Sequence, residues 1–571
     1  MSKILRIDLT HHRHSIEEIP SACRYIGGRG LIAHILKEEV LPTVDPLSDH
    51  NKLIFACGVL AGTAVPNSSR LSVGGVSPLT KTVKEANAGG TTAQVMAQIG
   101  LRAIIIEGRA NALTGIRIDA GSVSFFDAEP FKGMGNYQLI DEITAKYGDK
   151  TSVVSIGPGG EKKLLSAGVS STGADKEPRM AARGGLGAVM GAKNLKCVVL
   201  EAEKESRVQI DDPAAFKAAV KSLAKGIASH PIVDGLKNFG TPMLVGIIND
   251  GVNCLATRNY RMGKFEGSAK ISGEHIAQMM AVRPNAKAVH RCMPGCIISC
   301  SNVFASPDGN VVVTGLEFET IALLGSNLMI DDIDAIAKMN RLCNDIGVDT
   351  MEVGAALGVA MEAKVIAWGD ADKAIEWIHL LAQGKDEGLL IGNGCVYAGE
   401  QLGIERVPHV KGQGLAAYDP RGLKGTGVTY ATSPMGADHT CGNAVPSPAN
   451  PDYNPSSDVG QGPVSQFLQI FHAAIDSLGL CLFASIPLLD IPELRNDLIR
   501  CVSAATGMAY DPDYLEGIGK YTLKTERAFN LAAGFTAEDD RLPAFFTEEK
   551  LPETGNFFNV STEELDGVHA Y

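Results

Sequence analysis

The chain has 571 residues, of which 45% are hydrophobic and 20% charged, with a formal net charge of −13. That length exceeds a single core and implies two to four domains able to enclose a large cofactor. The acidic balance argues against a general nucleic-acid binder, which needs a basic face to displace counterions, and no run of about eighteen apolar residues marks a membrane span.

The amino end, Met1–Asp8, lacks the long apolar stretch of a secretion signal and reads as a strand, so a cytoplasmic protein is expected. In that compartment the 12 cysteines are expected to be reduced core thiols and a metal site, not disulfides. As far as about Val208, short apolar runs alternate with Gly, Pro, Ser and Asn. Lys52–Cys57, Ala103–Glu107 and Ser152–Ile156 predict strands of a β-rich amino-terminal domain. At Asp211-Asp212-Pro213 the texture changes: an Asp cap and a first-turn Pro open a helix that Phe216, Val220, Leu223 and Ile227 continue. Further helices are predicted over Ile333–Ile346, Met351–Ala367, Ala371–Leu381, Val464–Leu478 and Ile491–Thr506. Val410–Asp458 reads as a long irregular stretch, and its histidine and arginine favour a functional role.

Two hexamers far apart share one pattern. Asn344-Asp345-Ile346-Gly347-Val348-Asp349 and Asp476-Ser477-Leu478-Gly479-Leu480-Cys481 each place Gly where a predicted helix would end in a left-handed residue. Two matched helix-end loops suggest a ligand with two like halves. No other repeat is evident.

Arg291–Cys300 gathers Cys292, Cys296 and Cys300. Three buried cysteines on one helical face would be unremarkable, but Pro294 and Gly295 interrupt any helix between the first two. Three thiolates with a distant fourth suit either a four-iron cluster or tetrahedral zinc.

The cysteine segment and the paired hexamers resemble the tungsten-containing aldehyde:ferredoxin oxidoreductase family. Further similar blocks run through nearly the whole chain: Tyr25–Leu31, Asn67–Arg70 with Ser77–Thr80, Asn87–Gly90, Gly157–Glu161, Arg183–Gly191, Thr257–Tyr260 and Ala417–Gly422. The resemblance implies an α+β architecture. A β-rich base domain (1–208) would be followed by two mainly helical domains, 209–400 and 401–571, with a bis-pterin tungsten or molybdenum cofactor held between them.

On that resemblance each hexamer binds one pterin through Asn344, Gly347 and Asp349 or Asp476, Gly479 and Leu480, because a carboxylate accepts paired N–H bonds from an amino-pyrimidine edge. Asn344 departs from the commoner Asp. Cys481 becomes the fourth ligand of a 4Fe-4S cluster with Cys292, Cys296 and Cys300, although three residues separate the first two cysteines where the family more often has two. Arg70 would bridge cluster and pterin. Asn87 and Gly89 would lie near a magnesium ion joining the pterin phosphates. Arg183 and Gly184 begin a glycine-rich run that suits either pterin contact or tight packing.

In Thr314–Thr320 the resemblance singles out Glu319 over Glu317 as the acid facing the metal, and in Ser433–Thr440 it singles out His439. Glu319 would exchange a proton with water while His439 donates to a carbonyl oxygen as an aldehyde becomes a carboxylic acid. Electrons would leave through the cluster to a ferredoxin or a partner subunit. Lys338-Met339-Asn340-Arg341 stands where some members carry a Glu-x-x-His pair for an interfacial iron, so any homodimer is expected to lack that iron. Two other readings stay open: a reductive member acting on an acid or activated aromatic with an electron-input subunit, and a non-catalytic iron–sulfur or zinc protein.

Overall fold

A computed structural model describes residues 2–203, 206–447 and 450–571. Met1, assigned above to the first strand, lies outside the described residues. The amino-terminal region is built from two six-stranded sheets. The first contains β1 (Lys3–Asp8), β2 (Arg13–Glu18), β3 (Leu53–Cys57), β4 (Leu71–Val76), β5 (Val83–Ala88) and β6 (Leu101–Glu107), with α1 (Gly28–Glu39) before β3 and α2 (Thr92–Gln98) before β6. The second contains β7 (Thr114–Ile118), β8 (Val123–Asp127), β9 (Ser152–Ser155), β10 (Val169–Thr172), β11 (Pro178–Ala181) and β12 (Leu195–Leu200). Its helices are α3 (Asn136–Tyr147), the single turn α4 (Pro158–Glu161) and α5 (Leu186–Ala192).

The sheets run β2-β1-β6-β3-β4-β5 and β8-β7-β12-β9-β10-β11. In both, the first strand pairs parallel with the last and every other pairing is antiparallel. The region is therefore a topological duplication, which corrects the reading that only the hexamers repeat. The repeat lies in strand order and backbone contacts, while the side chains have diverged. One face of each sheet packs against the other through Leu5, Phe55 and Val73 on one side and Ile116, Val154 and Val198 on the other. Each such buried side chain contributes about 1.5–3 kcal/mol.

The remainder is mainly helical. Asp212 caps the helix Pro213–Ala228 by accepting from the Ala214 and Ala215 amides, as its sequence predicts. The helices Ile333–Ile346, Ala371–Gln383, Gln461–Leu478 and Pro492–Thr506 lie where apolar spacing placed them. Two expectations change. The helix over Met351–Ala367 is Thr350–Glu362, because Lys364 turns left-handed with φ 62°. Val410–Asp458 is not wholly irregular either: Lys424–Thr432 is a buried helix. A Cβ on Gly425 would lie 2.7 Å from Ala444, and one on Gly427 2.5 Å from Phe558, so close packing demands the glycines that made this stretch look like a loop. Residues 448–449 of it lie outside the described residues. A small three-stranded sheet of β13 (Lys287–His290), β14 (Ser301–Ala305) and β15 (Val311–Thr314) brackets the cysteine segment, which runs without helix between β13 and β14. All 12 cysteines are free. No described helix is long and apolar enough to cross a membrane.

Candidate active site

The helices Ile333–Ile346 and Gln461–Leu478 both end in left-handed glycine, Gly347 at φ 80° and Gly479 at φ 68°, a conformation glycine adopts without steric cost. Each end docks on one half of the duplicated base through the same bonds. Gly479 O accepts from Arg70 N and Gly347 O from Gly168 N, both at 3.0 Å. Two residues further on, Cys481 N donates to Asn67 O and Asp349 N to Ser166 O, both at 2.8 Å. The approach is tight: a Cβ on Gly58, just after β3, would lie 1.8 Å from Leu478 O, and one on Gly157, just after β9, 2.4 Å from Ile346 O.

Between these ends lies a cavity of about 390 Å³, lined by Arg70, Asn87, Gly89, Arg183, Asn344, Asp349, Asp476, Glu319, His439, Cys292, Cys300 and Cys481. Gly347, Gly479 and Leu480 set the turns from behind. Gly184 packs on the stem of Lys84, whose Cγ would lie 2.5 Å from an added Cβ. Cys296 sits beside the cavity, its sulfur accepting from Asn67 Nδ2 at 3.2 Å and Ser299 N at 3.3 Å. Asn67 also bonds the Cys481 amide, so one side chain and its backbone tie the cysteine loop to the second hexamer. A Cβ on Gly89 would lie 3.0 Å from Cys292 Sγ.

Burial pushes all four thiols above their ordinary range, and each lies close enough to another to feel its charge. The guanidinium of Arg70 offsets this at Cys292 and Cys481. Among the described residues no three His, Cys, Asp or Glu side chains are grouped to hold a single metal ion. A cubane cluster asks for something else, because each thiolate binds a different iron and the sulfurs need not converge on one point.

The carboxylates differ. Burial pushes Asp349 and Asp476 up to about 6, against the pull of Arg183 and Arg29 respectively. Asp349 Oδ2 has no hydrogen-bond partner although Arg183 approaches to 3.5 Å. Asp476 lies 3.3 Å from Arg29, whose guanidinium forks onto Glu526 through two 2.8 Å bonds. Asn344 donates to Tyr137 at 3.4 Å. Arg70 binds both the side-chain and backbone oxygens of Asn87, and Asn87 Nδ2 reaches Asp476 at 3.4 Å.

Glu319 stands in the first turn of the helix Phe318–Leu324, and its Oε2 accepts from Ala417 N at 2.9 Å. Its Oε1 faces His439 Nε2 at 3.3 Å without hydrogen-bond geometry and has no other partner. The rings of Phe318, Tyr418 and His439 follow one another at 5.3 and 5.7 Å between centroids. Glu317 points away from this pair: Thr241 donates to it beside Cys300, and burial raises its carboxyl.

Sequence reasoning passed over Lys84 and Glu85 as site residues. Both are buried, and burial with the Asp476 charge pushes Glu85 up to about 8. A Lys-Glu pair inside the apolar strand Val83–Ala88 was the available signal.

Residues 4–202 match the family model described as aldehyde ferredoxin oxidoreductase, N-terminal domain, and residues 218–568 match its domains 2 and 3. The chain is 33% identical to a tungsten-containing aldehyde ferredoxin oxidoreductase of Pyrococcus furiosus and 34% identical to one of Thermococcus kodakarensis, in each case over 97% of this chain and 92% of the relative. It is 24% identical to an aliphatic sulfonate oxidoreductase, WOR-like subunit, of Pyrococcus furiosus over 96% of this chain and 90% of the relative. Among solved structures, the active site complex BamBC of benzoyl coenzyme A reductase shares the fold, with a TM-score of 0.81, 19% identity and coverage of 100% of this chain and 93% of that one. With both family models matched and a third of its residues identical along almost its entire length, the chain belongs to the aldehyde ferredoxin oxidoreductase family of oxidoreductases.

Proposed function

We propose that this chain oxidises an aldehyde to a carboxylic acid with a tungsten or molybdenum bis-pterin group in the cavity, one pterin on each glycine-ended turn. Cys292, Cys296, Cys300 and Cys481 would hold a 4Fe-4S cluster, and the surroundings of Asn87 and Gly89 a magnesium ion joining the pterin phosphates. The domains would divide at 1–208, 209–400 and 401–571. Unpartnered buried atoms fit such an occupant: Asp349 Oδ2 and Glu85 Oε1 lack donors, and Arg183 Nε lacks an acceptor. When bound, the cofactor and cluster supply the two-electron sink and its exit toward a ferredoxin or partner subunit.

The observation that carries the reading is the facing pair Glu319 and His439, 3.3 Å apart, in a cavity between two equivalent helix ends. Glu319 Oε1, free of partners, takes a proton from the attacking water. His439 Nε2 donates to the aldehyde oxygen as negative charge grows there. Phe318 and Tyr418 wall the pair and exclude bulk water, which strengthens both interactions. Replacing Glu319 by Gln or His439 by Ala lowers kcat by about 10²–10⁴ while tungsten stays bound. An aldehyde panel with a viologen dye reads the rate, and full activity in either variant refutes the assignment.

A further inference from the structure

His439 Nδ1 is buried and has no hydrogen-bond partner. A bare ring nitrogen in that position loses its bond to water without replacement. The nearest charged group is Asp438, whose Oδ1 lies 3.9 Å away. Asp438 is itself firmly held. Its Oδ2 accepts from Lys84 Nζ at 3.0 Å, its Oδ1 from Thr440 N at 3.2 Å and Thr440 Oγ1 at 2.8 Å, and Arg183 Nε approaches Oδ2 to 3.9 Å. Lys84 is wholly buried, and its ammonium also reaches Met435 O at 3.4 Å. Burial alone would raise the Asp438 carboxyl, but Lys84 and Arg183 outweigh it and keep the group well below the usual carboxylate range.

We infer that Asp438, locked as an anion by buried Lys84, is a positioning residue that keeps a proton on His439 Nδ1, so that a bare Nε2 receives the proton Glu319 has taken from water and then donates it to the substrate oxygen. A carboxylate behind an imidazole selects the tautomer whose near nitrogen carries hydrogen and fixes the ring's orientation. Nδ1 faces Asp438 Oδ1 across 3.9 Å and has no other partner. The other charged or titratable groups near the ring are Glu319 on the opposite side, Tyr418 with its ring centroid 5.7 Å away, His472 on the helix Gln461–Leu478, and Arg183 beyond Asp438. His472, pushed down to about 4 by burial and then by Arg29, stays neutral and does not compete for Asp438. This inference rests on the proton-donor reading of His439.

The test is nitrogen NMR of the protein labelled with ¹⁵N-histidine, the His439 signals being identified by their absence in His439→Gln. Neutral His439 is expected as the Nδ1–H tautomer in the wild type and as the Nε2–H tautomer in Asp438→Asn. Lys84→Gln removes the ammonium that locks Asp438 and is expected to raise the share of the Nε2–H tautomer. In the loaded enzyme Asp438→Asn is expected to lower kcat at least tenfold, with KM and tungsten content unchanged. A wild-type spectrum showing Nε2–H overturns the inference even if no variant folds, as does a tautomer unchanged in both Asp438→Asn and Lys84→Gln. Full activity in His439→Ala overturns instead the functional reading beneath it, so the two failures are separable.

Discussion

The two glycine-ended turns share a backbone and differ in chemistry. Each rests on its half of the base through the same carbonyl and amide contacts. At the second end the leading residue is Asp476, paired with a wholly buried arginine, and the last is Cys481, a candidate cluster ligand. At the first end Asn344 bonds a tyrosine whose ring carries Arg341 at 3.3 Å from its centroid, and the last residue, Asp349, accepts from Met351 N as a helix cap. The duplicated scaffold thus sets where two halves of the proposed ligand would sit, and single side chains decide which end pairs with Arg29 and which adjoins the candidate cluster cysteines.

The comparison breaks first at its shared element. Gly58→Ala and Gly157→Ala each force a Cβ into a carbonyl oxygen and should cost more than about 4 kcal/mol, leaving little folded protein. A thermal melt showing one tolerated and the other not would deny that the halves are equivalent. The next largest effect separates the ends: Cys481→Ser should lose the iron while Asp349→Asn keeps it, as read by iron analysis. Replacing Glu526 by Gln would take from buried Arg29 its bidentate partner, leaving Asp476 at 3.3 Å and Cys441 Sγ at 3.9 Å, a loss of about 3–5 kcal/mol in chemical denaturation.

Smallest is the pH effect. Asp476 is raised from 3.8 to about 6, so its neutral form favours the apo fold. That contribution is complete below pH 3.8 and lost as pH rises through about 6. Asp438 acts oppositely, its contribution being present above pH 3.8 and lost as pH falls below it. Asp476→Asn should therefore flatten the apo Tm profile between pH 4 and 6, and Asn344→Asp should steepen it by adding a second buried carboxylate to the first end beside Asp349. A profile unchanged in both variants would show that the charge at positions 344 and 476 does not bear on folding.

Much of this was readable beforehand where the signal was local. The helix over Ile333–Ile346 and both left-handed glycines follow from three- and four-residue spacing and from the conformation only glycine takes freely. The clustered cysteines pointed to a proposed metal site because Pro294 and Gly295 interrupt the helix that would explain them otherwise, and the fold brings Cys292, Cys300 and Cys481 to one cavity. What escaped depends on partners far along the chain. Arg29 and Glu526 are 497 positions apart, and Lys84 meets Asp438 across 354, so neither pair leaves a local pattern. The duplicated sheet escaped for a related reason: strand order is set by pairing, and diverged side chains can build the same pairings.

The central claim is a two-part ligand held by equivalent turns with sulfur-bound iron beside one of them. Metal and pterin content of anaerobically purified protein tests it most directly. The account predicts two pterins for each tungsten or molybdenum, with about four irons per chain. Zinc alone, or a single pterin per chain, would contradict it.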